Sequence, residues 1–388
     1  VGRVTYGFDE VDLERLRERH SVKWRMFPPD VLPAFVAEMD FPVAPPVAGA
    51  VAASLARGGD FGYARDLVVP ELAEAFVAFA ERRYGWPVDP GRAYVLPDVM
   101  RGIELWIDGF TEPGGGVVVN TPVYYPFLQV IRDSGRRVVE APWTSGAVRW
   151  EVDLDALAAA FRAGHRLYLL CNPHNPIGRV LSAAELAAIA ELTERYDVRV
   201  VADEIHAPLV YGGRPHVPFA SLGPSVAART LTLHGASKAW NLPGLQCAVA
   251  IPGSDADAAY LSGLPSRTRG PAGILGIDTS VAAFAEGEPW LDALLGYLDA
   301  NRRVLAELLA QRLPEVAYVP PEATYLAWLD CRGLGLGDPP ARALLDRGRV
   351  AVNDGAPFGR PGRGFVRLNF GTSRALMTEA VTRMASAL

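Results

Sequence analysis

The stretch "HGASKAWNLPGL", residues 234–245, contains Lys238, and the only other lysine in the chain is Lys23, although Lys and Arg together number 38. Arginine carries surface charge as well as lysine does. It cannot lose a proton near neutral pH or form an imine with an aldehyde, and lysine can do both. A lysine kept among small residues, directly after the apolar run "RTLTLH" (229–234), is therefore a candidate for chemistry at the end of a strand.

Two more apolar runs end in polar residues that a buried strand would not need. "RLYLLC" (166–171) leads into Asn172-Pro173-His174-Asn175-Pro176-Ile177-Gly178, and "VRVVAD" (198–203) leads into Glu204-Ile205-His206. Further short runs are "AYVL" (93–96), "GVVVN" (116–120), "RRVVEA" (136–141) and "CAVAI" (247–251). Helical patterns fit between them. In "SAAELAAIAELTERY", Ser182 and Glu185 form a capping box ahead of an apolar face at helical spacing. Strands separated by helices predict an α/β fold, with a mixed, mostly parallel sheet covered on both faces. Ligands of such sheets lie outside the carboxyl ends of the strands.

The pattern changes after about residue 270. A long helix over 288–312 is followed by "TYLAWLD" (324–330), a helix near 339–348, "RVAVND" (349–354), "GFVRLNFG" (364–371) and a final helix. The expected organisation is an N-terminal arm (1–45), a large domain (46–275) and a small α+β C-terminal domain (276–388). The arm starts with a charged helical piece and becomes Pro-rich in "FPPDVLPAFVAEMDFPVAPP", a composition suited to an extended strap.

Half of the residues are hydrophobic and 21% are charged, as in globular proteins. A net charge of −6 with scattered basic residues gives no footing for nucleic acid or an anionic membrane. Cys171, Cys247 and Cys331 are few, distant and in apolar settings, which predicts reduced thiols and a cytoplasmic location. The first twenty residues carry charges where a secretory signal needs an apolar run, and no stretch is long and apolar enough to span a bilayer.

Singly, the strand-end motifs have structural readings: a Pro-bounded loop, a helix N-cap, a chance Ser-Lys pair. Together they place an amide, an acid, an imidazole and a lysine on neighbouring strands. Pyridoxal phosphate (PLP) needs that set: a lysine for its aldehyde, a carboxylate to keep its pyridine nitrogen protonated, donors to its ring 3-oxygen, and a phosphate cradle at a helix N-terminus. Cys171, His174, Asp203 and His206 match no zinc spacing, so no metal site is expected. A serine hydrolase is excluded because no G-x-S-x-G elbow is present.

The order "NPHNPIG", "DEIH", "ASKAWNLPGL" and "RLNFG" resembles the aspartate-aminotransferase group of PLP enzymes, fold type I. With "SVKWRMFPPDVLPAFVAEMDFP", "FGYA", "TPVYYPF", "CNPHNPIGR", "EATYLAWLD" and "VNDGAPFGRPGRGFVRLN", the chain resembles the cystathionine β-lyase-like C–S lyases of the MalY/PatB type within the aminotransferase class I/II superfamily. The resemblance runs from residue 21 to 370.

The resemblance implies a residue-by-residue site. Lys238 would bind the cofactor aldehyde and act as the base at the substrate Cα. Asp203 would pair with the pyridine nitrogen, Asn175 and His206 would face the ring 3-oxygen, and Tyr124 would stack on the ring. Arg367, with Asn175, would hold the substrate carboxylate. Val99 and Met100 in the "PDVM" loop, Ser237, and Tyr63 from a second subunit would bind phosphate, which implies a homodimer with shared active sites. Tyr125, Trp240 and Arg101 are expected near the site.

Two positions depart from the family pattern. Gly235 stands where a hydroxyl residue is usual, and Asp98 brings a negative charge to the phosphate loop, where it is expected to cap its own helix. The implied reaction is α,β-elimination from L-cystathionine or another L-cysteine S-conjugate, giving thiol, pyruvate and ammonia. Alternatives on the same scaffold are transamination, or a specialised oxidative or decarboxylating reaction of a cysteine conjugate in secondary metabolism.

Overall fold

A computed structural model describes residues 6–62, 64, 67–146 and 149–388. Seven strands form the main sheet: β1 Tyr94–Leu96, β2 Gly116–Val119, β3 Arg137–Glu140, β4 Leu167–Cys171, β5 Arg199–Asp203, β6 Thr230–His234 and β7 Ala248–Pro252. Their spatial order is β1-β7-β6-β5-β4-β2-β3. Only β7 runs against its neighbours; the pairings from β6 to β3 are parallel.

The apolar runs are continuous because both faces of the sheet are covered. Side chains alternate between two cores, as the pleat requires. Val117, Val119, Leu167, Leu169, Val201, Leu231 and Leu233 enter one core with Trp106 and Phe127. Val118, Tyr168, Leu170, Val200 and Ala202 enter the other with Phe161, Leu186 and Phe219. The helix Ala183–Arg195 starts with the expected capping box: Glu185 N donates to Ser182 Oγ at 3.2 Å, and Ser182 N donates to Glu185 Oε2 at 2.8 Å.

A second, antiparallel sheet contains β8 Ala317–Tyr318, β9 Leu326–Asp330, β10 Asn353–Asp354 and β11 Phe365–Asn369, in the order β8-β9-β11-β10. The helices Glu288–Arg312 and Arg374–Ala385 pack together and share its core. The helix Ile274–Glu286 runs through the region where the sequence pattern changes and packs on the helices Pro45–Ala56 and Pro70–Tyr84.

"RVAVND" is not one strand. Val350–Ala351 pairs in parallel with Leu32–Pro33 of the arm, whereas Asn353–Asp354 pairs with β11. The arm supplies a partner that local sequence cannot reveal. Beyond that pairing the strap is fixed by side chains. Asn369 Nδ2 donates to Val36 O at 2.7 Å and to Glu38 O at 2.6 Å, Tyr325 Oη donates to Ala37 O at 2.8 Å, and Asn241 Nδ2 donates to Met39 O at 2.8 Å.

Candidate active site

The carboxyl ends of β4, β5 and β6 open on one cavity of about 220 Å³. Its walls include Tyr124, Asn175, Asp203, His206, Ser237 and Lys238, with Asp98, Val99 and Met100 at one end. Three separate strand-end motifs thus converge as the parallel topology demands. Asp203 is the last residue of β5, and Lys238 follows β6 by one short turn.

Among the described residues, the fold gives Lys238 and Asp203 no counter-charge within ion-pair distance. The Lys238 Nζ contact is a long one, 3.4 Å to Ala37 O. Burial, with Arg367 adding to it, pushes the Lys238 amine down to about 8. Burial pushes the Asp203 carboxyl up to about 7, against the opposing pull of the Ile205 N–H and of Lys238. Asp203 accepts from Ile205 N at 3.1 Å, and among the described residues neither it nor Lys238 forms an ion pair. His206 is buried with Nδ1 lacking a hydrogen-bond partner among the described residues, and burial pushes its ring down to about 3, so it is a neutral imidazole.

Asn175 joins this cavity to Arg367. Arg367 Nη1 donates to Asn175 Oδ1 at 2.9 Å and Nη2 donates to Asn353 Oδ1 at 2.7 Å. Arg367 is 3% exposed, and among the described residues no carboxylate lies within ion-pair distance of it. Burial alone pulls its guanidinium down to about 10. A buried cation held only by neutral groups is a receptor for an anion. Tyr124 is tied to the same loop, its N–H donating to Asn175 O at 2.9 Å, and burial raises its phenol pKa so the hydroxyl stays protonated.

At the far end, Val99 and Met100 begin the helix Val99–Phe110, where first-turn N–H groups have no intrahelical acceptor. Asp98 is the N-cap and accepts from Arg101 N at 2.7 Å, so its carboxylate is turned onto its own helix as expected. A Cβ on Gly235 would lie 3.1 Å from Ile205 Cδ1 and 3.3 Å from Cys247 O, so a larger side chain there would fit tightly against Ile205 and the start of β7. Tyr63 lies outside the described residues.

The lysine, acid, imidazole, amide, Tyr124, Ser237, Val99 and Met100 therefore meet in one place, with Arg367 adjoining. Three neighbours expected from sequence do not line the cavity. Trp240 is buried and donates from Nε1 to Gly287 O at 3.1 Å. Arg101 bonds to Glu104 and Thr268 O. Tyr125 is 39% exposed, beside the Tyr124 ring. Ala37, Ile205, Pro243 and Gln246 line the wall without having been singled out, as do Cys171 and Cys247, expected only as reduced thiols or, for Cys171, as a rejected metal ligand. The readable signal for Ala37 was the Pro-rich strap; Gln246 had none. His174 faces away, contacting Cys171 O and Pro122 O. No group of three or more His, Cys, Asp or Glu among the described residues could hold a metal ion.

This combination of fold and site defines a class, and comparison with known proteins agrees. Residues 36–384 match the family model described as aminotransferase class I and II. The chain belongs to that family. It is 44% identical to a putative cystathionine beta-lyase of Mycobacterium leprae, with 98% of each chain covered. It is 34% identical to cystathionine beta-lyase PatB of Bacillus subtilis, over 95% of this chain and 96% of the relative. The crystal structure of a putative PLP-dependent beta-cystathionase from Corynebacterium diphtheriae superposes with a TM-score of 0.91, at 37% identity and 97% coverage of each chain.

Proposed function

We propose that this protein is a PLP-dependent carbon–sulfur β-lyase that cleaves L-cystathionine or another L-cysteine S-conjugate to thiol, pyruvate and ammonia. The observation that carries the reading is the unpaired set in one cavity: an amine and an acid that share it without touching, beside a buried guanidinium with no anion. The residues fit the cofactor. His206 Nδ1 is an orphaned buried polar atom, Asp203 pays a burial penalty that a protonated pyridine nitrogen would offset, and the first-turn amides at Val99 and Met100 suit a phosphate.

When bound, PLP supplies an electron sink for the pair left on Cα after deprotonation. Lys238 would be the residue that holds the cofactor aldehyde, and its amine would take the Cα proton; with a value of about 8 its neutral form is accessible near neutral pH. Asp203 would keep a proton on the ring nitrogen, and Asn175 and neutral His206 would hold the ring oxygen. Tyr124 would stack on the ring. Arg367 fixes the substrate carboxylate so that the Cα–H bond faces Lys238. The pair from Cα would close a Cα–Cβ double bond as the Cβ–S bond breaks with its own pair on sulfur, and water would hydrolyse the released enamine to pyruvate and ammonia. Val99, Met100 and Ser237 would hold the phosphate, in what we take to be a cytoplasmic homodimer; the three buried, unbridged cysteines are compatible with that compartment.

The test uses PLP-loaded protein and L-cystathionine without a keto acid. Equal, sustained release of pyruvate and free thiol over many turnovers is expected. A single turnover that resumes only on adding a keto acid would overturn the lyase reading in favour of transamination.

A further inference from the structure

Arg367 is oriented by two amides, and Asn353 is the one that no sequence signal marked. It sits on β10 directly opposite Arg367 of β11 in the antiparallel register. Its Oδ1 accepts from Arg367 Nη2 at 2.7 Å, while Asn175 Oδ1 accepts from Nη1 at 2.9 Å and the Phe358 ring lies 5.1 Å from the guanidinium carbon. Two neutral acceptors and a ring face thus fix the guanidinium plane. None of them neutralises it.

The next residue is a carboxylate. Successive side chains of a strand point to opposite faces, and Asp354 turns away to accept from Ala356 N at 3.1 Å. One residue of register therefore decides whether Arg367 meets an amide or an acid. An acid there would satisfy the cation internally, and a substrate carboxylate would have to compete with it.

We propose that Asn353 is a positioning residue that sets carboxylate recognition: it aims Arg367 while leaving its charge available to the substrate. The inference rests on the reading that Arg367 binds the substrate carboxylate. It predicts a loss confined to substrates that carry the carboxylate.

The test measures KM and kcat of Asn353→Asp, Asn353→Ala and Arg367→Ala holoenzymes with an S-alkyl-L-cysteine and with its methyl ester. Thermal shift by 3-(methylthio)propionate, a carboxylate without the reacting amine, gives a readout independent of turnover. Asn353→Asp is expected to raise KM for the acid by about tenfold or more, the worth of one competing charge-assisted contact, with most of the loss in KM rather than kcat. The ester KM should stay within about twofold, and the thermal shift by the propionate should vanish. Asn353→Ala should give a smaller rise of about threefold, from lost orientation alone. If Arg367→Ala raises the acid KM and neither Asn353 variant does, the inference fails. If Asn353→Asp raises acid and ester KM alike, Asn353 is merely structural and the inference also fails. If Arg367→Ala leaves the acid KM unchanged, the reading of Arg367 itself falls, and the inference with it.

Discussion

The chain's two lysines are both buried beside a carboxylate, and they have opposite surroundings. Lys23 Nζ lies 2.8 Å from Asp40 Oδ2 and 3.1 Å from Glu38 O, while Trp24 Nε1 donates to Asp40 Oδ1 at 3.0 Å. Lys23 and Asp40 are 2% and 3% exposed, and every charge between them is matched. Lys238 and Asp203 share a cavity yet make no such contact, and each is pushed toward its neutral form. Burial is common to both pairs; what differs is whether the counter-charge is within reach. The contact pair is a pin and the separated pair is a receptor. The two are linked, because the pinned strap carries Ala37 O to Lys238.

The largest effect that could break this contrast is on Lys238. Lys238→Ala should cut thiol and pyruvate release by about a thousandfold or more, the scale of a lost proton-transfer group, and abolish the imine absorbance band of the holoenzyme. In the cofactor-free protein the midpoint of this variant should not fall, because no ion pair is lost. A midpoint drop matching that of the pin variants would erase the distinction.

Next comes the pin. Lys23→Met strands a buried carboxylate and should cost about 3–5 kcal/mol in urea unfolding, whereas Lys23→Met combined with Asp40→Leu should recover most of it. A single variant as stable as the parent would show that the pair is not holding the strap.

The third measurement separates the carboxylates by pH. In the cofactor-free protein the folded Asp203 carboxyl titrates at about 7, above its ordinary 3.8, so the folded state binds more protons than the unfolded state between those values. Its contribution to stability is present below 3.8 and is lost as pH rises through 7. Asp203→Asn should therefore raise the apo-protein midpoint at pH 8 and leave it nearly unchanged at pH 4. Asp40→Asn should lower the midpoint at pH 8. Equal behaviour of the two variants would refute the receptor description.

The smallest effect concerns Asp98. Asp98→Ala should cost about 1 kcal/mol as a lost N-cap and leave the cofactor dissociation constant within about twofold. A marked gain in cofactor affinity would mean that the carboxylate faces the phosphate end rather than its own helix.

The two regions also differ in how legible they were. Apolar runs ending in Asn172, Asp203 and His234 declared the buried strands and their functional ends, because a strand covered on both faces is mostly apolar and a cluster of charged and amide side chains is accommodated where it stops. Ser182 and Glu185 declared a helix start because capping is local. The roles of Trp240 and Arg101 were not legible: a tryptophan beside the lysine and an arginine in the phosphate loop look like site residues until packing sends each elsewhere. "RVAVND" reads as one strand, and its division depends on Leu32–Pro33, more than 300 positions away in the chain.

The sequence by itself determined the seven strands of the main sheet, the helices between them, and the order of lysine, acid, imidazole and amide at strand ends. Those features follow from periodicity, capping and turn chemistry over a few residues. Only the tertiary structure decided that Lys23 meets Asp40 while Lys238 stays free, that Asn353 rather than Asp354 faces Arg367, and that Ala37 closes the cavity. Each depends on which distant segment comes within about 3 Å, the reach of a hydrogen bond. Charge and burial take their effect at that distance, and spacing along the chain does not encode it.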